Sequence, residues 1–523
     1  MAHWYNGHFR QTVFLAWVML LGLDAALANR EPLWRPYSAD AFTEAREQGK
    51  PILLSIDAVW CHECQMMNII TYRQPGVVDL IRQRYIAVRA DPDQRPDLAA
   101  RYQAWGWPTT VLLSADGSEQ VIRAGYLDAE DLRELLTTTL DKPGLKSAPR
   151  ADIEGFSGDA KLSPSLKDQL SQRHQSLQDT QHGGLNVDRR FLHAGTVEWD
   201  LHLACQGDLD AERRARIQLD AATQLLDPAF GGAYQDAKSP DWSTPGHAKT
   251  IATQWRYMTI YAKACEQLGE ERYCEVASSV ADYLLDYLGA PGGAFFSSQD
   301  ADLRPAKESD EYFSLPLDAR LAQGMPKVNK TRYGDANGLA IEGLVRVYQA
   351  TGQRYYLTRA IKAMDWVHQR RVYYGGGYRH QHRDAAGPYL SDTLYLGRAH
   401  LALFRATKEH KYLKYANSSA RFIDRHFRLP EGGFLSSVDN GTPLAPVPGV
   451  ELNVHTADFF LALAAASGNR DYRESAEHAM RYLSTEKVAM TPPTAPGILL
   501  ISALMEMEFK GSDNSCIGKA DGV

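Results

Sequence analysis

Two hydrophobic rhythms divide the chain. Between residues 30 and 145, short apolar runs alternate with helical stretches. Pro51–Asp57, Tyr85–Ala90, Thr110–Ser114 and Gln120–Ala124 are rich in Ile, Leu and Val, are bounded by turn residues, and predict strands. Asp116-Gly117 predicts the hairpin turn between the last two. Gln65–Ile70, Asp97–Ala104 and Ala129–Leu140 predict helices.

Between residues 155 and 510 the pattern becomes helical and repeats. Glycine pairs recur at Gly183-Gly184, Gly231-Gly232, Gly292-Gly293, Gly376-Gly377 and Gly432-Gly433. Helix starts precede them, four sharing a turn residue and a Tyr: Gly269 and Tyr273, Gly352 and Tyr356, Lys408 and Tyr412, Gly468 and Tyr472. Weaker copies near Ser163 and Glu212 bring the repeats to six. Each unit pairs an amphipathic helix with a more apolar one, such as Leu339–Tyr348, Thr393–Phe404 or Ala457–Ala466. Six pairs predict an (α/α)6 toroid with the apolar helices inside. The long Gly-Gly loops would all leave one end of the ring, where function is expected.

Candidate chemistry falls in both regions. In the first, Trp60-Cys61-His62-Glu63-Cys64 joins a strand to a helix. A cysteine at a helix N-terminus meets unpaired N–H groups that favour its thiolate. Cys61 is therefore the expected nucleophile and Cys64 the resolving thiol. A protonated His62 would favour the thiolate and Glu63 would oppose it, which leaves the redox poise open. Metal ligation by Cys61, His62 and Cys64 and a purely structural disulfide are the bland alternatives. In the second region, the loops carry Trp242, His247, Lys249, Asp300, Asp302, Asn337, His380, Asp392 and His455. Carboxylates and histidines among aromatics suit acid–base work on a carbohydrate. The competing reading is that they tie loops together, with Asp335 and Asp392 capping apolar helices. Asp300 with Asp302 is the strongest catalytic or calcium candidate. His380-x-His382 lacks a third ligand in sequence, so no metal and no cofactor are assigned. Cys265 and Cys274 flank the turn at Gly269, where a disulfide and two buried thiols are both open. Cys205 has no evident partner in sequence.

Composition narrows the classes. Of 523 residues, 57 are basic and 64 acidic, for a net charge of −7, so nucleic-acid binding has no electrostatic support. The N-terminal run Thr12–Leu23, preceded by Arg10 and followed by Ala26-Leu27-Ala28, predicts a cleaved secretory signal over residues 1–28. A periplasmic or secreted mature chain without a membrane span follows from that reading, and residues 511–523 are expected to be disordered.

The order of elements in the first region closely resembles thioredoxin. Its anchors are Trp-Cys-x-x-Cys and, some 45 residues later, Trp107-Pro108-Thr109. The resemblance implies an α/β thioredoxin-like domain over residues 30–145 with Pro108 cis beside the dithiol. One departure is Ser55, where thioredoxins commonly place a buried Asp; Asp57 lies two residues on. The whole chain resembles the family of the sperm-associated thioredoxin-like protein and its bacterial relatives. Trp60-Cys61-His62, Gly231-Gly232, Pro240-Asp241-Trp242, Pro245, Lys249, Asp300-Ala301-Asp302 and Asn337-Gly338-Leu339-Ala340 carry that resemblance. Relatives commonly have an apolar residue and Met where this chain has Glu63 and Cys64. Their His-Phe-Glu-Lys is here Gly246-His247-Ala248-Lys249, without the Glu. The all-α (α/α)6 part, residues 155–510, also looks like N-acylglucosamine and cellobiose 2-epimerases. These resemblances imply a thiol–disulfide oxidoreductase whose protein partner exchanges with Cys61, while the toroid binds a client or a glycan. A sugar-active toroid with Asp300, Asp302, His380 and His455 at its site, or a non-enzymatic assembly factor, are the alternatives.

Overall fold

The computed structural model describes residues 31–141, 159–307, 309–384, 386–490 and 495–510. The expected signal segment and C-terminal tail lie outside the described residues. Among the described residues, no helix is long and apolar enough to cross a membrane.

The first domain is a mixed five-stranded sheet with the order β1-β3-β2-β4-β5, formed by β1 (Arg35–Pro36), β2 (Ile52–Ile56), β3 (Ile86–Ala90), β4 (Thr109–Leu113) and β5 (Glu119–Ala124). β2 runs parallel to β3 and antiparallel to β4, which pairs antiparallel with β5. β2 is the central strand, and all five of its residues are buried. Its side chains alternate across the sheet. Ile52, Leu54 and Ile56 join Phe42, Val88, Leu98 and Val111 on one face. Leu53 packs with Met67, Val77, Ile81, Leu112 and Leu132 on the other. The Trp107–Pro108 peptide is cis. This is the thioredoxin-like arrangement that the sequence implies.

The second domain is all-helical. Six inner helices, Ala194–Cys205, Ile251–Leu268, Gly334–Thr351, Leu390–Thr407, Val450–Ser467 and Ala495–Lys510, pack in succession, and the last closes on the first. Six outer helices, Pro164–Ser176, Leu209–Ala222, Glu271–Tyr287, Arg354–Arg370, His410–His426 and Asp471–Leu483, surround them. At four of these junctions the chain turns from inner to outer helix through one left-handed residue: Gly269, Gly352, Lys408 or Gly468. Glycine is favoured there because a Cβ is strained at positive φ, and Lys408 is the exception at φ 59°.

The Gly-Gly loops share a fastening. Four inner helices are 18 residues long, and the fourth residue of each reaches back to its loop. Gln254 accepts the N–H of Ala233 at 2.7 Å and donates to its carbonyl. Asn337 does the same for Phe295, at 2.8 and 3.2 Å, and Asn453 for Phe434, at 2.7 and 3.0 Å. Thr393 accepts from Tyr378 N–H at 3.3 Å. Each clip satisfies buried backbone groups that would otherwise cost free energy.

Cys265 and Cys274 form a disulfide, with Cα atoms 5.3 Å apart, which closes the alternative of two free thiols. Cys205 is disulfide-bonded as well.

Candidate functional site

Cys61 caps the helix His62–Ile69, and its Sγ accepts the N–H of Cys64 at 3.2 Å. Cys61 and Cys64 form a disulfide, with Cα atoms 5.2 Å apart. Sγ of Cys61 also lies 3.6 Å from the carbonyl oxygen of Trp107, next to Pro108. Beneath the site, Asp57 is buried. It accepts Asn68 Nδ2 at 2.7 Å and Ser55 Oγ at 3.3 Å, and Arg89 lies 3.6 Å away. Burial pushes its carboxyl up, against the opposing pull of Arg89 and Asn68.

The dithiol does not face open solvent. Cys64 is fully buried and Cys61 is 8% exposed. Trp60, Cys61 and Cys64 pack with Ala248 and Ala301 of the toroid. The N–H of Ala301 donates to the Trp60 carbonyl at 3.1 Å. On either side of Ala301, Asp302 Oδ2 lies 2.7 Å from His62 Nδ1, and both oxygens of Asp300 accept Gln65 Nε2 at 2.7 and 2.8 Å. Gln65 Oε1 in turn accepts the N–H of Ala306. Burial raises Asp300 to about 6, opposed by the N–H of Asp302 and by Gln65. Glu63 pairs with Arg189 at 2.9 Å, and Arg189 with Asp236 at 3.3 Å. The contest between His62 and Glu63 expected from sequence is thus altered, since the toroid supplies a counter-charge to each.

The contact extends across the ring's loop end. Asp93 accepts the indole N–H of Trp60 at 2.9 Å, and its carbonyl accepts His380 Nε2 at 2.7 Å. Asn440 donates to Asp97 at 3.0 Å, Tyr37 meets Thr442, and Leu444 joins the core of the first domain. Loops from five repeats therefore carry the thioredoxin-like domain.

The other candidates separate into three groups. Lys249 is fully buried, 2.8 Å from Asp227, which also binds Arg320 through both oxygens. Burial lowers Lys249 to about 8, against the pull of Asp227. His247 stacks on Phe313 at 3.9 Å, and burial lowers it to about 4. Trp242 is buried and donates its indole N–H to the His182 carbonyl. Trp242, Lys249 and Asn337 are thus framework residues, which corrects their reading as cavity groups.

His380 and Asp392 form the second group. Nδ1 of His380 is 2.9 Å from Asp392 and 3.5 Å from Asp335. Burial opposes its charge, but the two carboxylates prevail and raise it to about 10. Asp335, His380 and Asp392 each bring a ligand atom within 4.8 Å of the others. Both imidazole nitrogens are already engaged, so the group is an ion pair at the domain interface, and His382 is exposed. The expected helix caps need correction: Tyr333 and Tyr389 hold the cap positions, while Asp392 in the first turn accepts the N–H of Asp335 on the neighbouring helix.

His455 lies at the centre of the ring, 3.0 Å from the Tyr395 hydroxyl and against Trp255. Arg398 there bridges Glu342 at 2.9 Å and Asp458 at 2.5 Å, and Arg256 pairs with Glu451 at 3.4 Å. Asp458 keeps 39% side-chain exposure although it sits on an inner helix. Sequence reading missed all of these except His455. Their signal was polar residues at the second, sixth and ninth positions of the 18-residue helices, on one helical face. A sugar site joining Asp300, Asp302, His380 and His455 is not what the fold assembles, because the first three serve the domain interface.

Residues 26–140 match the family model Thioredox_DsbH, described as a protein of unknown function, DUF255. Spermatogenesis-associated protein 20 of Rattus norvegicus is 24% identical over 310 residues, 52% of this chain. The chain spans 39% of that relative's length. Thiol:disulfide interchange protein DsbD of Pseudomonas fluorescens is 28% identical over 158 residues, covering 24% of this chain and 27% of its own. The crystal structure of D-mannose isomerase covers 69% of this chain and all of its own, with a TM-score of 0.50 at 12% identity, a likeness of fold alone. The chain thus joins a thioredoxin-like domain to an all-helical (α/α)6 toroid.

Proposed function

We propose that the protein exchanges thiols and disulfides through Cys61 and Cys64. The observation that carries this is the Cys61–Cys64 disulfide at the start of a helix, with the Trp107 carbonyl and Pro108 beside it. In the reducing direction, the Cys61 thiolate attacks a partner disulfide and expels one partner thiolate. Cys64 then attacks the Cys61–partner bond. The partner leaves as a dithiol, and two electrons have passed to it from Cys61 and Cys64. The oxidising direction is the reverse. Likeness to a thiol:disulfide interchange protein supports the reading. The N-terminal apolar run and the Cys265–Cys274 disulfide support a periplasmic or secreted setting.

A glutathione redox titration of the full chain, read by mass spectrometry on the peptide bearing both cysteines, tests it. One two-electron transition between about −120 and −270 mV is expected, the span of thioredoxin-fold oxidoreductases. A disulfide that neither forms nor breaks in that range would overturn the reading.

The central cluster favours a second role for the toroid. Arg256, Glu451 and Asp458 keep part of their side chains exposed there, and charged groups of both signs beside His455 suit a polyhydroxylated ligand. Loss of carbohydrate binding in His455→Ala, with the redox titration unchanged, is the expected outcome.

A further inference from the structure

We propose that Asp300-Ala301-Asp302 is an intramolecular latch on the partner-docking face of the dithiol, and that a protein partner reaches Cys61 only after this segment is displaced. The proposal rests on the thiol-exchange reading for the identity of that face.

The latch engages three consecutive features of the redox loop and helix. The Ala301 N–H binds the carbonyl of Trp60, the residue before the nucleophile. Asp302 holds the ring of His62, the residue after it. Asp300 holds Gln65, one helical turn further on. Ala301 and Ala248 share one buried cluster with Cys61 and Cys64, and their small side chains allow the toroid to approach the redox loop closely. An attacking thiolate must approach along the S–S axis of a partner, so a macromolecular disulfide needs room over Cys61 that an 8% exposed residue does not have.

The segment is built to hold this position. Ser298-Gln299 pairs with Lys249-Thr250 on one side and Val328-Asn329 on the other, so a small sheet fixes the base of the latch. Asp300 N–H donates to Lys327 O, and Asp302 N–H to Asp300 Oδ1. The polar contacts to His62 and Gln65 are made by side chains of the redox helix itself. They are therefore the contacts that a docking partner would replace.

The test compares small and bulky thiol reagents on the full chain after chemical reduction. Labelling of Cys61 by iodoacetamide and by a maleimide on a polyethylene glycol of about 5 kDa is followed by peptide mass spectrometry. In the parent chain the bulky reagent is expected to lag the small one far more than it does on free cysteine. In Asp300→Asn/Asp302→Asn the bulky rate should rise about tenfold, as the carboxylate contacts to both Gln65 and His62 are weakened. The small-reagent rate should change little, and Asp302→Glu, which keeps the charge, should keep much of the lag. Equal relative rates in the parent chain, or no change in the double variant, would overturn the latch. Should the double variant fold poorly, amide hydrogen exchange of the parent chain decides. Ala301 N–H is expected to exchange faster than the inner helices; exchange as slow as theirs would mean that the segment opens only on global unfolding, which is not a latch. A dithiol without redox exchange would sink the thiol-exchange reading alone, since labelling of the reduced chain still measures access.

Discussion

His380 donates through Nε2 to the backbone oxygen of Asp93, and the carboxylate of that same Asp93 takes the indole N–H of Trp60. Two side chains thus run from the toroid's buried ion pair to the residue preceding the reactive cysteine. His380 is held between Asp335 and Asp392 on its other side. Replacing it with Ala leaves buried carboxylates uncompensated. His380→Ala is expected to cost about 3–5 kcal/mol in chemical denaturation, with loss of the interface before loss of either domain.

The same cluster gives a pH dependence. Burial, together with neighbouring carboxylates, raises Asp91 to about 8, Asp93 to about 6 and Asp392 to about 7, while His380 is raised to about 10. Unfolded values are about 3.9 for Asp and about 6.5 for His. Every one of these groups binds its proton more tightly when folded, so stability must fall as pH rises. The His380 contribution is complete below about pH 6.5 and is lost as pH passes about 10; the cost of ionising the three Asp groups grows over about pH 4 to 8. Denaturation midpoints from pH 5 to 10 should decline, and Asp392→Asn should flatten the part between pH 5 and 8.

Replacing the resolving cysteine should arrest exchange midway. In Cys64→Ser the bond between Cys61 and a partner has no internal attacker. Cys64→Ser is expected to accumulate covalent partner adducts on non-reducing gels, and Cys61→Ser to yield none.

The loop clips lend themselves to single substitutions. Asn337→Ala and Asn453→Ala each strand a buried backbone N–H, of Phe295 or Phe434. The expected loss is about 1–3 kcal/mol apiece. Amide exchange should accelerate in the attached loop and leave the other clips unchanged.

The Cys265–Cys274 disulfide closes a short loop, with a sequence separation of 9. Chain-entropy reasoning gives it about 2–3 kcal/mol. The Cys265→Ser/Cys274→Ser variant should melt at lower temperature with an unchanged redox titration at Cys61.

What sequence reveals here depends on the range of the interaction. Strands such as Ile52–Ile56 carry their burial in local composition, and the Gly-Gly repeats mark the hairpins of the ring. Asp300 and Asp302 stand out in sequence as a catalytic or calcium candidate in a loop, with nothing there to mark what they bind. Their partners, His62 and Gln65, stand more than 230 residues away, and the docking of two domains joins them. Asn337 has the opposite history. It looks like a site residue because it is polar and begins an apolar helix, yet its amide is consumed by Phe295. Comparing it with Gln254, Thr393 and Asn453 at the same helical position would have exposed the clip. The central cluster escaped because Glu342, Arg398 and Asp458 sit within helices, and only ring closure faces them inward.

The clip at the fourth residue of the four 18-residue inner helices separates frame from cargo. Between the two fastened ends the chain runs 21 residues from Ala233 to Gln254, 42 from Phe295 to Asn337, 15 from Tyr378 to Thr393 and 19 from Phe434 to Asn453. Because both ends are pinned alike, the intervening chain can lengthen without shifting the helices. The longest of the four excursions is the one that carries Asp300, Ala301 and Asp302 out to the dithiol. A long excursion between two fixed ends thus gives a ring of helices a finger that reaches another domain's chemistry.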